Sequence, residues 1–162
     1  LTIEPATVPV DPLFDAIIDG FSPMAVQRGV AVIGDGGGLC VWADLVRLRQ
    51  ILTNLVRNAL LHAKGATVIE LAAERDGDGV NVGVFDDGAG IPEELIPHLF
   101  DRHRRVAPTD SGGWGLGLGI VSMLTEMHGG RATYRQRDPG AGFHVWLPDR
   151  TRDTQSEERA DP

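Results

Sequence analysis

A chain of 162 residues with 42% apolar content suits one domain with a full core. A net charge of −8 leaves no basic face for nucleic acid or anionic lipid, and the lone Cys40 excludes an internal disulfide and a cysteine metal cluster. No apolar run approaches the ~20 residues that span a bilayer, and no signal segment opens the chain. Its abrupt start reads as a piece cut from a longer protein in a reducing, cytoplasmic setting.

Residues 1–10 are rich in Pro and Val and read as extended. Asp11-Pro12 is a helix-start pair, an N-cap acid followed by Pro at the first helical position. Leu13, Phe14, Ile17, Ile18 and Phe21 then share one face, and Pro23 should break or kink that helix. Val30–Ile33 and Leu39–Trp42 read as strands around the turn Asp35-Gly36-Gly37-Gly38, with Cys40 a core residue. Asp44 caps a long helix to His62, whose stripe of Leu45, Leu48, Ile51, Leu52, Leu55, Val56 and Ala59 is buried. Val68–Ala73 and Val80–Phe85 form a hairpin across Gly77-Asp78-Gly79. Pro92-Glu93-Glu94 starts a short helix. Residues 101–113 form a long polar loop, the pattern of a mobile lid with Phe100 as its anchor. A further helix carries Ile120, Val121, Leu124 and Met127 and stops at His128-Gly129-Gly130. Arg131–Arg135 and Gly142–Leu147 are the last strands, around Asp138-Pro139-Gly140. The charged tail, 150–162, reads as disordered. Together these elements predict a two-layer α/β (α+β) sandwich over residues 1–149, with one mixed, largely antiparallel sheet carrying its helices on one face.

Three stretches carry chemistry. Gly112-Gly113-Trp114-Gly115-Leu116-Gly117-Leu118-Gly119 runs directly into a helix, so free backbone N–H groups and the positive end of the helix dipole make a socket for phosphate. Asn54 and Asn58 lie one turn apart beside the apolar stripe, with His62 one turn further. Asn is a poor helix-interior residue, and its amide oxygen can ligate a hard cation such as Mg²⁺. Asp86 ends a strand, and Gly88 and Gly90 follow. A carboxylate there can accept a hydrogen bond from an exocyclic amine such as that of adenine.

These blocks, with Phe100-Asp101-Arg102 between the last two, resemble the N, G1, F and G2 boxes of the catalytic, ATP-binding domain of sensor histidine kinases. That family belongs to the superfamily of DNA gyrase, the heat-shock ATPase chaperones and the mismatch-repair ATPases. The resemblance covers roughly residues 12–148 and implies a Bergerat-type ATP-binding fold. By the same resemblance Asn58 binds Mg²⁺ bridging the ATP phosphates and Asp86 holds the adenine amino group. Gly88 and Gly90 flank the base, which His62 covers. Gly113, Gly115 and Gly117, with Leu116 and Leu118 between and after them, form the loop that closes on the β- and γ-phosphates, and Arg105 reaches the γ-phosphate. The chain departs from the family pattern at Leu61, where a basic residue is usual and Lys64 is the nearest substitute. It departs again at His103-Arg104 and at Trp114.

The superfamily's hydrolases place a Glu one turn before the Mg²⁺-binding Asn. Here that residue is Asn54, and an amide is no general base at neutral pH. The resemblance therefore implies a kinase domain that presents ATP to a His on a separate dimerisation domain, and then to a response regulator. None of the five histidines sits in the acidic helical context of such an acceptor. The fragment is expected to be monomeric, within a homodimeric parent of a kind often anchored in the membrane. The alternatives are an anti-sigma-factor-type serine kinase, an ATP-driven clamp, and an interaction module that no longer binds nucleotide.

Overall fold

A computed structural model describes residues 1–101 and 116–149. Strand β1 (Ala6–Pro9) pairs antiparallel with β3 (Cys40–Ala43) in a small separate sheet. The main sheet has five strands in the order β2 (Ala31–Asp35), β4 (Val68–Asp76), β5 (Gly79–Asp86), β7 (Ala141–Pro148), β6 (Arg131–Gln136). Only β2–β4 is parallel; the other pairs are antiparallel. Helices α1 (Val10–Arg28), α2 (Leu45–His62) and α3 (Leu116–Met127) cover one face.

The apolar periods explain the layering. On the sheet, alternate residues Leu71, Val84, Phe143 and Tyr134 stand opposite one another and face the helices. On α2, Leu48, Ile51, Leu52 and Leu55 are almost wholly buried against them, while Leu45, expected in the same stripe, is exposed in the first turn. Each such side chain contributes about 1.5–3 kcal/mol by leaving water, so this stripe holds the two layers together.

The beginning of the chain departs from the sequence reading. Asp11 does not cap α1. The helix starts at Val10 behind Pro9, and no side chain caps it. The Asp11 carboxylate instead accepts the Gly36 and Gly38 N–H groups at 2.7 and 2.9 Å, which ties the triple-glycine turn to the helix start. That tether turns β3 away from the main sheet and onto β1, so there are two sheets rather than one. Cys40 is exposed, not a core residue, because Val41 and Ala43 take the inward positions of the alternating strand. Pro23 does not end α1. It lies on the exposed side, where water can solvate the carbonyl that loses its helical partner. The short helix expected from Pro92 is reduced to a 3₁₀ turn, Ile96–His98, because Pro97 has no N–H to extend it. The expected lid and tail lie outside the described residues.

The cap at Asp44 matches the expectation. Its side chain accepts the Arg47 N–H at 3.1 Å. Its own N–H donates to Nε2 of His128 at 3.1 Å, while Nδ1 of His128 donates to the Leu124 carbonyl at 2.7 Å. The imidazole is thus a neutral strut between the end of α3 and the start of α2. Removing it in His128→Ala leaves the Asp44 N–H without that acceptor. The expected loss is about 1–3 kcal/mol of unfolding free energy, read by urea denaturation.

Candidate functional site

Asp86 is the last residue of β5, with Ile69 opposite on β4 and Ala141 opposite on β7. Its side chain is buried, and Oδ1 accepts the Gly88 N–H at 2.9 Å. Burial pushes its pKa above the usual Asp value of 3.8, opposed by the backbone N–H groups of Gly88 and Ala141. The next residue behaves in the opposite way. Asp87 is half-buried, and its carboxylate accepts from the Thr67 hydroxyl and from the Thr67 and Val68 N–H groups. Those bonds, the hydroxyl foremost, pull its pKa down to about 2 and pin the end of β5 to the start of β4.

Beyond Asp86 the chain turns back under the start of α2's C-terminal loop. The Ala89 N–H donates to the Lys64 carbonyl at 3.0 Å, so Lys64 serves here through its backbone. A Cβ on Gly88 would sit 3.0 Å from both the Asp86 carboxylate and the Lys64 carbonyl oxygen. Gly90 takes φ +80 and approaches the Gly140 carbonyl. Gly140 itself has φ +115, and a Cβ there would overlap the Asp86 carbonyl oxygen. The Asp138-Pro139-Gly140 turn is therefore a wall of the site, which its sequence, read only as a turn, does not reveal.

Asn58 and Asp86 line one small cavity with Ala59, Ala63, Gly90, Ile91, Ala141 and Phe143. Its volume is about 10 Å³, room for about one water, so a planar base enters only as the walls part. Asn58 is buried, and its Nδ2 has no partner among the described residues. Ile91, Ala141 and Phe143 are wall residues that sequence reasoning missed, because each reads as ordinary strand or loop packing.

The first turn of α3 lies against the Asn row of α2. A Cβ on Gly117 would meet the Asn58 carboxamide at 3.5 Å, and Nδ2 of Asn54 donates to the Gly117 carbonyl at 3.5 Å. Phe100 packs edge-on against Phe143, with ring centroids 6.2 Å apart. His62 ends α2, partly buried, and is not among the residues lining the cavity. Leu118 is wholly buried in the core, while Leu61, at the departure noted above, is 44% exposed. Arg105, Gly113 and Gly115 lie outside the described residues, as does the side chain of Leu116.

A buried acid at a sheet end, a buried unpaired amide and a helix start beside it form a nucleotide-site arrangement. Residues 43–151 match the family model of the histidine kinase-, DNA gyrase B- and HSP90-like ATPases. The chain belongs to this ATPase family. Within it the chain is similar to histidine kinase catalytic domains. It is 36% identical over 143 residues to the sensor histidine kinase component HK1 of Mycobacterium tuberculosis, covering 87% of this chain and 82% of HK1. It is 35% identical over 108 residues to the sensor protein PfeS of Pseudomonas aeruginosa, covering 67% of this chain but 24% of PfeS. The chain thus spans about a quarter of such full-length sensors. The catalytic domain of histidine kinase ThkA superposes with a TM-score of 0.76 at 28% identity, over 91% of this chain and 97% of that one. Full-length ShkA in complex with AMPPNP gives 0.77 at 30% identity, over 91% of this chain and 32% of ShkA. The two-layer architecture expected from the sequence is the architecture of this ATPase domain.

The Gly140 wall gives a direct test. Gly140→Ala must push the turn away from the Asp86 carbonyl, against a φ that L side chains rarely adopt. The expected result is a loss of about 2 kcal/mol or more of stability, read by thermal or urea unfolding.

Proposed function

We propose that this domain binds ATP·Mg²⁺ and presents the γ-phosphate to a histidine on a separate helical dimerisation domain, from which it passes to a response regulator. The observation that carries the reading is the single cavity shared by the Asp86 carboxylate and the Asn58 amide. Support also comes from the relatives named as sensor kinases, from ShkA bound to AMPPNP, and from ThkA in complex with the response regulator TrrA.

In this reading residues 1–149 are the catalytic domain of a cytoplasmic segment. Asp86, ionised, accepts the adenine amino group, and its bond from Gly88 fixes the carboxylate for that purpose. Gly88 and Gly90 let the base lie against the backbone, and His62 closes over it. The loop with Gly113, Gly115 and Gly117 supplies N–H groups to the phosphates, and Arg105 steadies charge on the γ-phosphate. Asn58 would hold Mg²⁺. Among the described residues no cluster of three His, Cys, Asp or Glu could ligate a metal. The Asn58 carboxamide would lend one oxygen to an ion carried mainly by phosphate oxygens and water, while its Nδ2, unpartnered among the described residues, remains a donor for a ligand oxygen. When bound, the ion neutralises phosphate charge. Asn54 leaves no carboxylate to activate water one turn away, which favours transfer to another acceptor over hydrolysis.

Asp86→Asn separates function from folding. A buried group whose folded pKa is raised contributes stability below its unfolded pKa and loses it as pH rises through the folded value. Asp86→Asn is therefore expected to hold or raise the melting temperature at neutral pH while cutting ATP affinity at least about tenfold by calorimetry. A variant that binds ATP normally would overturn the purine role of Asp86. ATP affinity should also fall as pH drops through the raised Asp86 pKa, beginning above the pH where an ordinary Asp titrates. Asn58→Ala is expected to abolish the Mg²⁺-dependent part of that affinity with the fold intact by circular dichroism.

A further inference from the structure

The face of the main sheet turned away from the helices carries a second cavity, of about 270 Å³, distinct from the nucleotide site. Its floor follows from the sequence. A Cβ on Gly83 would sit 2.9 Å from the Phe85 ring, and one on Gly142 would overlap it. These two glycines thus let Phe85 lie flat across the neighbouring strands. The Arg137 guanidinium stacks on that ring at 3.8 Å, and His144 meets its edge, with centroids 5.4 Å apart.

Charge is arranged across this floor by register. Glu70 and Glu74 stand on β4, while Arg135 ends the same cross-strand row as Glu70 on β6. Three strand spacings of about 4.8 Å put β4 and β6 about 14 Å apart, so the acids and bases face each other without meeting. Among the described residues none of Glu70, Glu74, Arg135 and Arg137 forms an ion pair. Between them His144 is 3% exposed, and its buried Nε2 has no partner among the described residues. Burial lowers its pKa, as do Arg135 and Arg137, against a rise from Glu74, so all three charged groups act on the imidazole.

We propose that this cavity is a second ligand site, for a small zwitterion whose ammonium and carboxylate are separated by several atoms. The carboxylate sits between Arg135 and Arg137, and the ammonium faces Glu70 and Glu74. The spacer runs along the edge of Phe85, whose outward face Arg137 covers, and the ligand's entry changes the surroundings of the His144 ring. A carboxylate or an amine alone would leave half of the wall charges uncompensated.

Calorimetry on the protein with 6-aminohexanoate, hexanoate and hexylamine tests the assignment, with imidazole NMR signals as a second readout. The expected result is binding of 6-aminohexanoate at least about tenfold tighter than either singly charged analogue, with a shift of the His144 ring resonance. Arg135→Gln and Glu74→Gln, both on exposed side chains, should each weaken it about tenfold and leave ATP affinity unchanged. Glu70→Gln is the replacement should either variant fail to fold. Absence of binding at millimolar 6-aminohexanoate, equal binding of hexylamine or hexanoate, or an unmoved His144 resonance would each overturn it.

Discussion

The site depends on a carboxylate that the fold would be more comfortable without. Asp86 is buried where β5 ends, and its desolvation works against its charge. The structure keeps that acid in place by geometry rather than by a countercharge. The Gly88 N–H holds one oxygen, the Gly140 backbone closes over the carbonyl, and Asp87 fastens the strand end to Thr67 and Val68. Among the described residues no cation acts on Asp86, and the donors that face it are the Gly88 and Ala141 N–H groups. An arginine partner would stabilise the charge and occupy the site.

The helices are registered against that acid by a separate device. His128, a neutral imidazole, joins the end of α3 to the start of α2. Setting those two ends fixes the other end of the pair, where Gly117 rests on Asn54 and Asn58. A helix stop and a helix cap far from the cavity therefore decide how the start of α3 meets the amide row. The sheet then sets the distance from that row to Asp86, through the almost wholly buried side chains of α2.

Where the sequence reading worked, one periodic signal dominated. The α2 stripe, the Asp44 cap and the β4–β5 hairpin each follow from local spacing, and the boundaries match closely. The failures share a cause, surroundings set by the tertiary fold that local spacing does not show. Asp11 reads as a cap because caps are local, yet it binds N–H groups 25 and 27 residues away. Pro23 reads as a break because its lost bond is local, while solvent on the exposed side of α1 removes the penalty. Gly140 reads as a turn, because nothing in its neighbourhood says that Asp86 lies against it. In the site, Asp86, Asn58 and Gly117 were legible as motif residues. Ile91, Ala141 and Phe143 were not, because a wall of apolar side chains looks like any core.

The two faces of the sheet divide the chemistry by the same alternation that builds the core. Residues of one parity on β4, β5, β7 and β6 pack under the helices and shape the cavity beside Asn58 through Phe143 and Asp86. Residues of the other parity supply Glu70, Phe85, His144 and Arg135 to the open face. Phe85 and Asp86 are adjacent in the chain, so the two cavities share a strand end with their walls on opposite sides. Any displacement of Phe85 along the sheet normal moves the backbone that holds Asp86. A ligand on the open face is therefore coupled to the nucleotide only as far as β5 can shift. The antiparallel bonds to β4 and β7 on both sides of that strand oppose such a shift.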